Sequence, residues 1–118
     1  MDILSLKGMQ FHARHGYYDS EKKTGNVFEV DLVFQIHAGP AAENDDLEKT
    51  IDYSAARTIV AEIMNGPSLN LIETLCYRIG EKLFHALNPD KLSVSVRKLN
   101  PPMQEQTKYS EISMQWPR

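Results

Sequence analysis

The chain has 118 residues, of which 25% are charged and 42% hydrophobic, with a formal net charge of −3. These values are typical of a globular domain with a small core, and we expect residues 1–118 to form a single domain. The acidic balance argues against nucleic acid or an anionic membrane as the main partner. No apolar run approaches the roughly 18 residues that cross a bilayer, and the first residues do not resemble a secretory signal. The single cysteine, Cys76, cannot form an internal disulfide, so we expect a cytoplasmic protein.

The first half of the chain predicts two strands and two loops. The first strand covers about residues 3–14, where Gly8 interrupts the alternation as a bulge would. Residues 15–25 are polar and are predicted to form a loop, in which Glu21 is by itself an ordinary carboxylate. From residue 28 to 36, apolar side chains alternate with mostly polar ones, which is typical of a strand with one face buried under helices. The acidic stretch that follows is predicted to be a solvated connection.

The second half predicts two helices and two more strands. The first helix runs over about residues 53–65, with Asp52 or Ser54 as its N-cap and Gly66 as its stop. The second carries one buried stripe, formed by Ile72, Leu75, Cys76, Ile79 and Leu83. Its cysteine is expected to pack in the core rather than act as a nucleophile. With strands near 92–98 and 109–116, the order ββααββ favours an α+β fold, a four-stranded antiparallel sheet with both helices on one face. The two open edges of such a sheet favour oligomerisation.

Lys98 lies on the unexpected face of its strand. Side chains alternate along a strand, so Lys98 shares a face with Val94 and Val96, which should be the buried one. Its side chain either extends past the strand end into water or lines a pocket that uses its charge. The pattern alone favours the first interpretation.

Glu73 also has two interpretations. Asn70, with Glu73 three residues later, fits a capping box at the start of the second helix. The helix dipole also favours negative charge in this turn. The carboxylate could therefore accept two hydrogen bonds from a flat heterocycle lying on Leu71 and Ile72. Tyr53 by itself is interpreted as a helix-start aromatic that packs on the core.

The histidines do not suggest a metal site. His12 and His15 would point to opposite faces of an extended segment, and the other two are remote in sequence. No catalytic triad, phosphate-binding loop or dinucleotide-binding glycine pattern occurs. We therefore predict no metal and no cofactor.

A set of short motifs occurs in order along the chain. The motifs are His15-Gly16 with Glu21, Asp45-Asp46-Leu47, Thr50-Ile51-Asp52-Tyr53-Ser54, Leu71-Ile72-Glu73-Thr74-Leu75 and Lys98-Leu99-Asn100-Pro101-Pro102. Each is weak alone, but together, in their order and spacing over nearly the whole chain, they resemble the dihydroneopterin aldolase family. The resemblance implies the tunnelling fold, whose subunits have the same ββααββ order. Residues 103–108 and the last strand, which has few Val and Ile residues, depart from the family's usual pattern.

The resemblance implies a retro-aldol cleavage in folate biosynthesis, in which 7,8-dihydroneopterin gives 6-hydroxymethyl-7,8-dihydropterin and glycolaldehyde. The substrate's own C6=N5 imine can take up the electrons, so neither a protein Schiff base nor a metal would be needed. At the matching positions, Lys98 would assist at N5, Glu21 would orient Lys98 and a proton-transfer water, and Tyr53 would protonate the intermediate. Glu73 would anchor the 2-amino and N3 edge of the pterin beside the Ile72 backbone. The family's rings of four, often stacked as eight, place sites between subunits, so the tyrosine would come from a neighbour.

Two alternatives stay open on the sequence. An epimerase acting on dihydroneopterin or its triphosphate could share the retro-aldol intermediate. A triphosphate specialist would need basic residues near the side-chain pocket, where only Lys22-Lys23 stands out. A non-catalytic pterin-binding ring protein would be favoured by the loss of Lys98, Glu21 or Tyr53, and all three are present.

Overall fold

A computed structural model describes residues 1–103 and 106–118 as an antiparallel sheet under helices. The strands follow the order β1-β2-β3-β4, with bounds β1 (Asp2–Ala13), β2 (Asn26–Ile36), β3 (Lys91–Leu99) and β4 (Tyr109–Trp116). The helices are α1 (Asp19–Thr24), α2 (Gly39–Asn44), α3 (Tyr53–Met64) and α4 (Ile72–Leu87), with a 3-10 turn over Leu47–Lys49. Helix α3 contacts β1 and α4, and α4 contacts β3 and β4. The predicted α+β architecture, with two long helices on one face of the sheet, is confirmed.

The core forms where the apolar face of β2 meets the helices. Phe28, Val30, Leu32 and Phe34 alternate along β2 and are fully buried, as their period of two predicts. Burying one such side chain contributes roughly 1.5–3 kcal/mol to folding. Four of the five predicted stripe residues of α4 are also fully buried, so the prediction for this helix is largely confirmed.

Cys76 is part of this core. Its side chain is fully buried, and its thiol donates a hydrogen bond to the Val94 carbonyl oxygen at 3.4 Å. Burial raises the pKa of the Cys76 thiol to about 12. The prediction of a packing role rather than a nucleophilic one is therefore confirmed.

The predicted bulge in β1 is present. The pairing of β1 with β2 shifts register between Leu6 and Met9. Gly8 adopts a φ of +73°, a region that favours glycine, and its N–H donates to the Asp31 carboxylate at 2.7 Å.

Two parts of the helix predictions need correction. The segments predicted as loops contain α1, α2 and a 3-10 turn, which are too short to show a helical period. The capping box at Asn70 is wrong, because α4 begins at Ile72 with Leu71 at its N-cap. The Asn70 side chain instead accepts a hydrogen bond from Lys22 Nζ at 2.7 Å. By contrast, the Asp52 carboxylate caps α3 by accepting from the Ser54 N–H, as predicted.

Two further observations complete the fold. No helix in the described residues is long and apolar enough to span a membrane. The unusual segment at residues 103–108 includes Gln104 and Glu105, which lie outside the described residues.

Candidate active site

A buried ion pair lies at the end of β3. Lys98 lies opposite Phe28 of β2, on the face that the helices cover. Its Nζ donates to Glu21 Oε2 at 2.7 Å, and the two side chains are only 12% and 6% exposed. The lysine therefore does not extend into water. Burying both charges is unfavourable unless they pair, so the pair makes this end of β3 a candidate functional site.

Helix α1 holds the carboxylate of this pair. Glu21 is in the first turn of α1, and its second oxygen, Oε1, accepts from the Tyr18 N–H at 3.3 Å. The residue was predicted to be in a loop, and the resemblance alone singled it out. The short helix turns Glu21 inward, and it is one of the few buried charged residues.

Gly16 allows the chain to pass directly over Glu21. A Cβ added to Gly16 would stand 2.5 Å from Glu21 Cβ, which is closer than side-chain carbons approach each other. The Gly16 N–H also donates to the Leu69 carbonyl oxygen at 2.9 Å. The glycine is therefore required for close packing around the carboxylate.

The ion pair borders a cavity of about 290 Å³. Four of the five predicted site residues line it, namely Lys98, Glu21, Glu73 and Ile72. Its volume is near the lower end of the roughly 300–1,000 Å³ that small-molecule sites occupy. The structure thus brings these four residues together, although they come from three separate parts of the chain.

Glu73 is an exposed carboxylate at the mouth of this cavity. It is the second residue of α4, in the turn where the helix dipole favours negative charge. Within residues 1–103 and 106–118 it has no hydrogen-bond or ion-pair partner. It is therefore available to accept hydrogen bonds from a ligand. Exposed aromatic and apolar side chains surround this mouth, namely Tyr17, Tyr18 and Leu71.

Tyr53 is not at this cavity. It is the first residue of α3 and is 55% exposed. The far end of the same helix, Met64, lies on the cavity side, where its carbonyl oxygen contacts His15. Twelve residues of α helix span about 18 Å, so Tyr53 lies toward the opposite end of the sheet. The structure of one chain does not bring Tyr53 together with Lys98.

His15 is a residue of this region that sequence reasoning did not single out for its side chain. Only 1% of it is exposed. Its Nε2 lies 2.7 Å from the Met64 carbonyl oxygen, and its Nδ1 accepts from the Leu69 N–H at 3.0 Å. Burial lowers the pKa of His15, and the charges of Lys22 and Lys98 lower it further. These contacts fix the neutral ring with its proton on Nε2. The sequence did not predict this burial, because His15 lies in a polar segment that follows a strand.

A larger concavity lies elsewhere. It has a volume of about 800 Å³ and lies on the outer side of α3 and α4, near Tyr77 and His85. One of its lining residues, Lys82, forms a surface pair with Glu62 at 3.0 Å, and both side chains are more than half exposed. Exposed ion pairs of this kind contribute little free energy, because water and salt screen their charges. We therefore assign the site to the smaller cavity, because that one combines a buried ion pair with an available carboxylate.

This arrangement suits a flat, polar heterocycle. The carboxylate of Glu73 can accept two parallel hydrogen bonds from an amino group and a neighbouring ring N–H. A ring held in that way would extend into the cavity, where Lys98 can donate to a ring nitrogen. Glu21 can take up or return a proton beside it.

Comparison with known proteins identifies the family. The FolB family model, dihydroneopterin aldolase, matches residues 4–115. The dihydroneopterin aldolase of Bacillus subtilis is 35% identical over 104 residues, 87% of each chain. The crystal structure of E. coli dihydroneopterin aldolase in complex with neopterin superposes with a TM-score of 0.89 at 18% identity and covers 98% of both chains. A dihydroneopterin aldolase from Burkholderia bound to guanine gives 0.75 at 18% identity, covering 97% of this chain and 88% of that one. The chain belongs to the dihydroneopterin aldolase family.

Proposed function

We propose that the chain performs its family's reaction at the Lys98–Glu21 cavity, by acid/base catalysis without a metal or a protein Schiff base. Its aldolase function in folate biosynthesis follows from family membership. The assignment of roles to residues is our proposal. One observation carries it: the buried pair, joined at 2.7 Å, borders the same cavity as the available carboxylate of Glu73.

The chemistry needs a proton donor close to one ring nitrogen. The substrate's 2′-hydroxyl would pass its proton through the oriented water to Glu21, the C1′–C2′ bond would break, and glycolaldehyde would leave. The electron pair moves through C6 to N5, which takes up a proton. Lys98 would supply that proton, directly or through a water, and Glu21 would orient Lys98 and the water. Tyr53 would then protonate C1′, and the N5 proton would return to Lys98, which completes 6-hydroxymethyl-7,8-dihydropterin.

Glu73 would hold the pterin for this step. The related structures contain neopterin and guanine, and both ligands carry an amino group beside a ring N–H. A carboxylate can accept from both donors at once, and the backbone of Ile72 lies next to it at the cavity wall. We propose this pair as the substrate-binding residues.

Tyr53 would come from a neighbouring subunit. Its position at the far end of α3 keeps it from the cavity of its own chain. The chain is also elongated, with a radius of gyration of 15.5 Å where about 13–14 Å is typical for this length. Strands β1 and β4 are the edges of its sheet. Pairing of these edges in a ring of four subunits, alone or stacked as eight, would carry Tyr53 to the next cavity.

We also propose that the enzyme is cytoplasmic and that its chain forms one domain. Cys76, the single cysteine, is a buried thiol, which fits a reducing compartment. One cluster of buried residues connects all four strands with α3 and α4. We propose a small pterin as the substrate, with neither nucleic acid nor membrane as a partner.

The test is incubation with 7,8-dihydroneopterin, followed by chromatographic identification of the products. We expect 6-hydroxymethyl-7,8-dihydropterin and glycolaldehyde in equal amounts, with activity retained in EDTA. Borohydride added with substrate should leave the mass of the protein unchanged. An epimer of the substrate as the sole product would favour the epimerase alternative, and a trapped lysine adduct would contradict the proposed mechanism.

Glu73→Ala tests the binding role. Removing a charge-assisted pair worth roughly 1.5–3 kcal/mol should weaken pterin binding about ten- to a hundredfold. The measurement is the Kd of neopterin by calorimetry, together with kcat and KM. Glu62→Ala, which removes an exposed carboxylate of α3, is the matched control and should leave the Kd unchanged. A loss confined to kcat would contradict the binding role.

A further inference from the structure

The end of β1 is tied to the connection between α3 and α4. His15 contacts this connection at two points, the Met64 carbonyl oxygen at 2.7 Å and the Leu69 N–H at 3.0 Å. The next residue, Gly16, donates its N–H to the Leu69 carbonyl oxygen at 2.9 Å. Ser68 Oγ donates to the Arg14 carbonyl oxygen at 2.6 Å. Four hydrogen bonds thus fix residues 64–69 against the segment that precedes Glu21.

A neutral imidazole is well suited to this position. The ring must accept at Nδ1 and donate at Nε2, and only the neutral tautomer with its proton on Nε2 does both. The rings of Phe28 and His15 form a T-shaped pair, with centroids 5.6 Å apart. The positive charges of Lys22 on α1 and Lys98 on β3 disfavour protonation of the ring. A protonated ring would direct a donor at the Leu69 N–H and add a third positive charge there.

The residues held by these hydrogen bonds lead along the chain to Glu73, the proposed substrate-binding carboxylate. Leu69 lies four residues before Glu73, and the intervening Asn70 is held by Lys22 at 2.7 Å. On its other side, the His15-Gly16 segment packs against Glu21. Residues 15 and 16 therefore contact Glu21 of the acid/base pair on one side and Leu69, in the segment that leads into α4, on the other.

We propose that His15 is a positioning residue, which sets the place of Glu73 relative to the Lys98–Glu21 pair. The inference rests on the proposed function, because it assigns His15 to the support of the pterin-binding carboxylate. Of the two His15 contacts, the one to Leu69 sets the position of Glu73, since Leu69 is nearer to α4 in the chain than Met64 is. The Met64 contact holds the other end of the same connection.

Two conservative variants separate these contacts. In His15→Asn, the side-chain oxygen can occupy the place of Nδ1 and still accept from Leu69. In His15→Gln, the longer amide can reach Met64, and the acceptor at the Nδ1 position is lost. We expect His15→Gln to lower kcat/KM on the order of ten- to a hundredfold, mainly by raising KM. His15→Asn should recover most of that loss. Ser68→Ala removes an exposed bond of the same connection and, as the matched control, should stay within about twofold.

A double-mutant cycle with Glu73→Gln tests whether His15 acts through Glu73. If it does, the double variant His15→Gln/Glu73→Gln should have a kcat/KM less than about threefold below that of Glu73→Gln alone. The full loss in both backgrounds would overturn the proposal, because a general structural effect is additive. Equal kcat/KM for His15→Gln and wild type would overturn it as well.

Amide hydrogen exchange keeps this test separate from the proposed function. We expect His15→Gln to speed exchange at residues 69–73 and to leave residues 28–34 of β2 protected. Unchanged exchange at 69–73 would refute the positioning role even for an inactive protein. Absence of turnover in the wild-type protein would instead refute the proposed function.

Discussion

At the scale of single residues, the Lys98–Glu21 pair makes each partner dependent on the other. Both side chains are largely withdrawn from water, and a charge left alone there loses its compensation. Removing one partner should therefore destabilise the protein more than removing both. The arrangement also explains why a lysine can lie on the covered face of β3.

Lys98→Met should lower the free energy of unfolding by on the order of 3 kcal/mol. The double variant Glu21→Gln/Lys98→Met should recover much of that loss, because neither buried charge remains. Urea denaturation followed by circular dichroism measures both variants. Equal stability of the single and double variants would show that the buried charge is not the cause.

His15 should make stability depend on pH. The unfolded chain has the ordinary histidine pKa of 6.5, and the folded state holds a lower one. The unfolded state therefore binds more protons between these two values, and stability rises with pH across that window. The contribution is fully present above the unfolded pKa and is lost as the pH falls through 6.5 toward the folded value. His15→Asn, which cannot titrate, should show a smaller loss of Tm between about pH 7.5 and pH 5. Identical pH profiles for the two proteins would contradict the burial of a neutral ring.

At the scale of elements, α1 shows how a short helix depends on its surroundings. Six residues are too few to form a stable helix alone, so packing and hydrogen bonds must hold it. One such support is the Glu21 carboxylate, which accepts from the Tyr18 N–H at the N-cap. The second support is Gly16, which packs closely against the Glu21 side chain.

Gly16→Ala should displace Glu21 and lower kcat/KM at least about tenfold, because the new methyl group would overlap the Glu21 side chain. Gly39→Ala is the matched control, since an added Cβ there meets nothing within 4 Å. Steady-state kinetics and circular dichroism measure both variants. Full activity of Gly16→Ala would show that the chain moves aside without cost.

The elements differ in how well their residues predicted them. The alternation in β2, the stripe of α4 and the cap of α3 are local patterns, and the structure confirms them. The capping box failed because Asn70 bonds to Lys22, which lies 48 positions away in the chain. No local pattern can report a partner that only folding brings near.

At the scale of the whole molecule, one chain holds an incomplete set of the predicted residues. Four line the cavity, and Tyr53 lies toward the other end of the sheet. The open edges and the elongated shape favour assembly, and assembly would supply the missing tyrosine.

Mixing two inactive variants tests this sharing. Tyr53→Phe and Lys98→Met should each be nearly inactive alone. Co-refolded in equal amounts, they should regain about one quarter of wild-type activity, since that share of interfaces carries both intact residues. Activity no higher than that of the separate variants would place the tyrosine within its own chain's site. Light scattering at micromolar concentration should show an oligomer, and a monomer would exclude a shared site.

The sequence by itself determined the order of the main elements, the buried faces of β2 and α4, and the family. Periodicity and capping are local properties, and the family motifs occur in order along the chain. Only the tertiary structure decided the Lys98–Glu21 contact, the burial of His15 and the availability of Glu73. Each of these depends on residues far apart in the chain, and their distances and exposure exist only after folding.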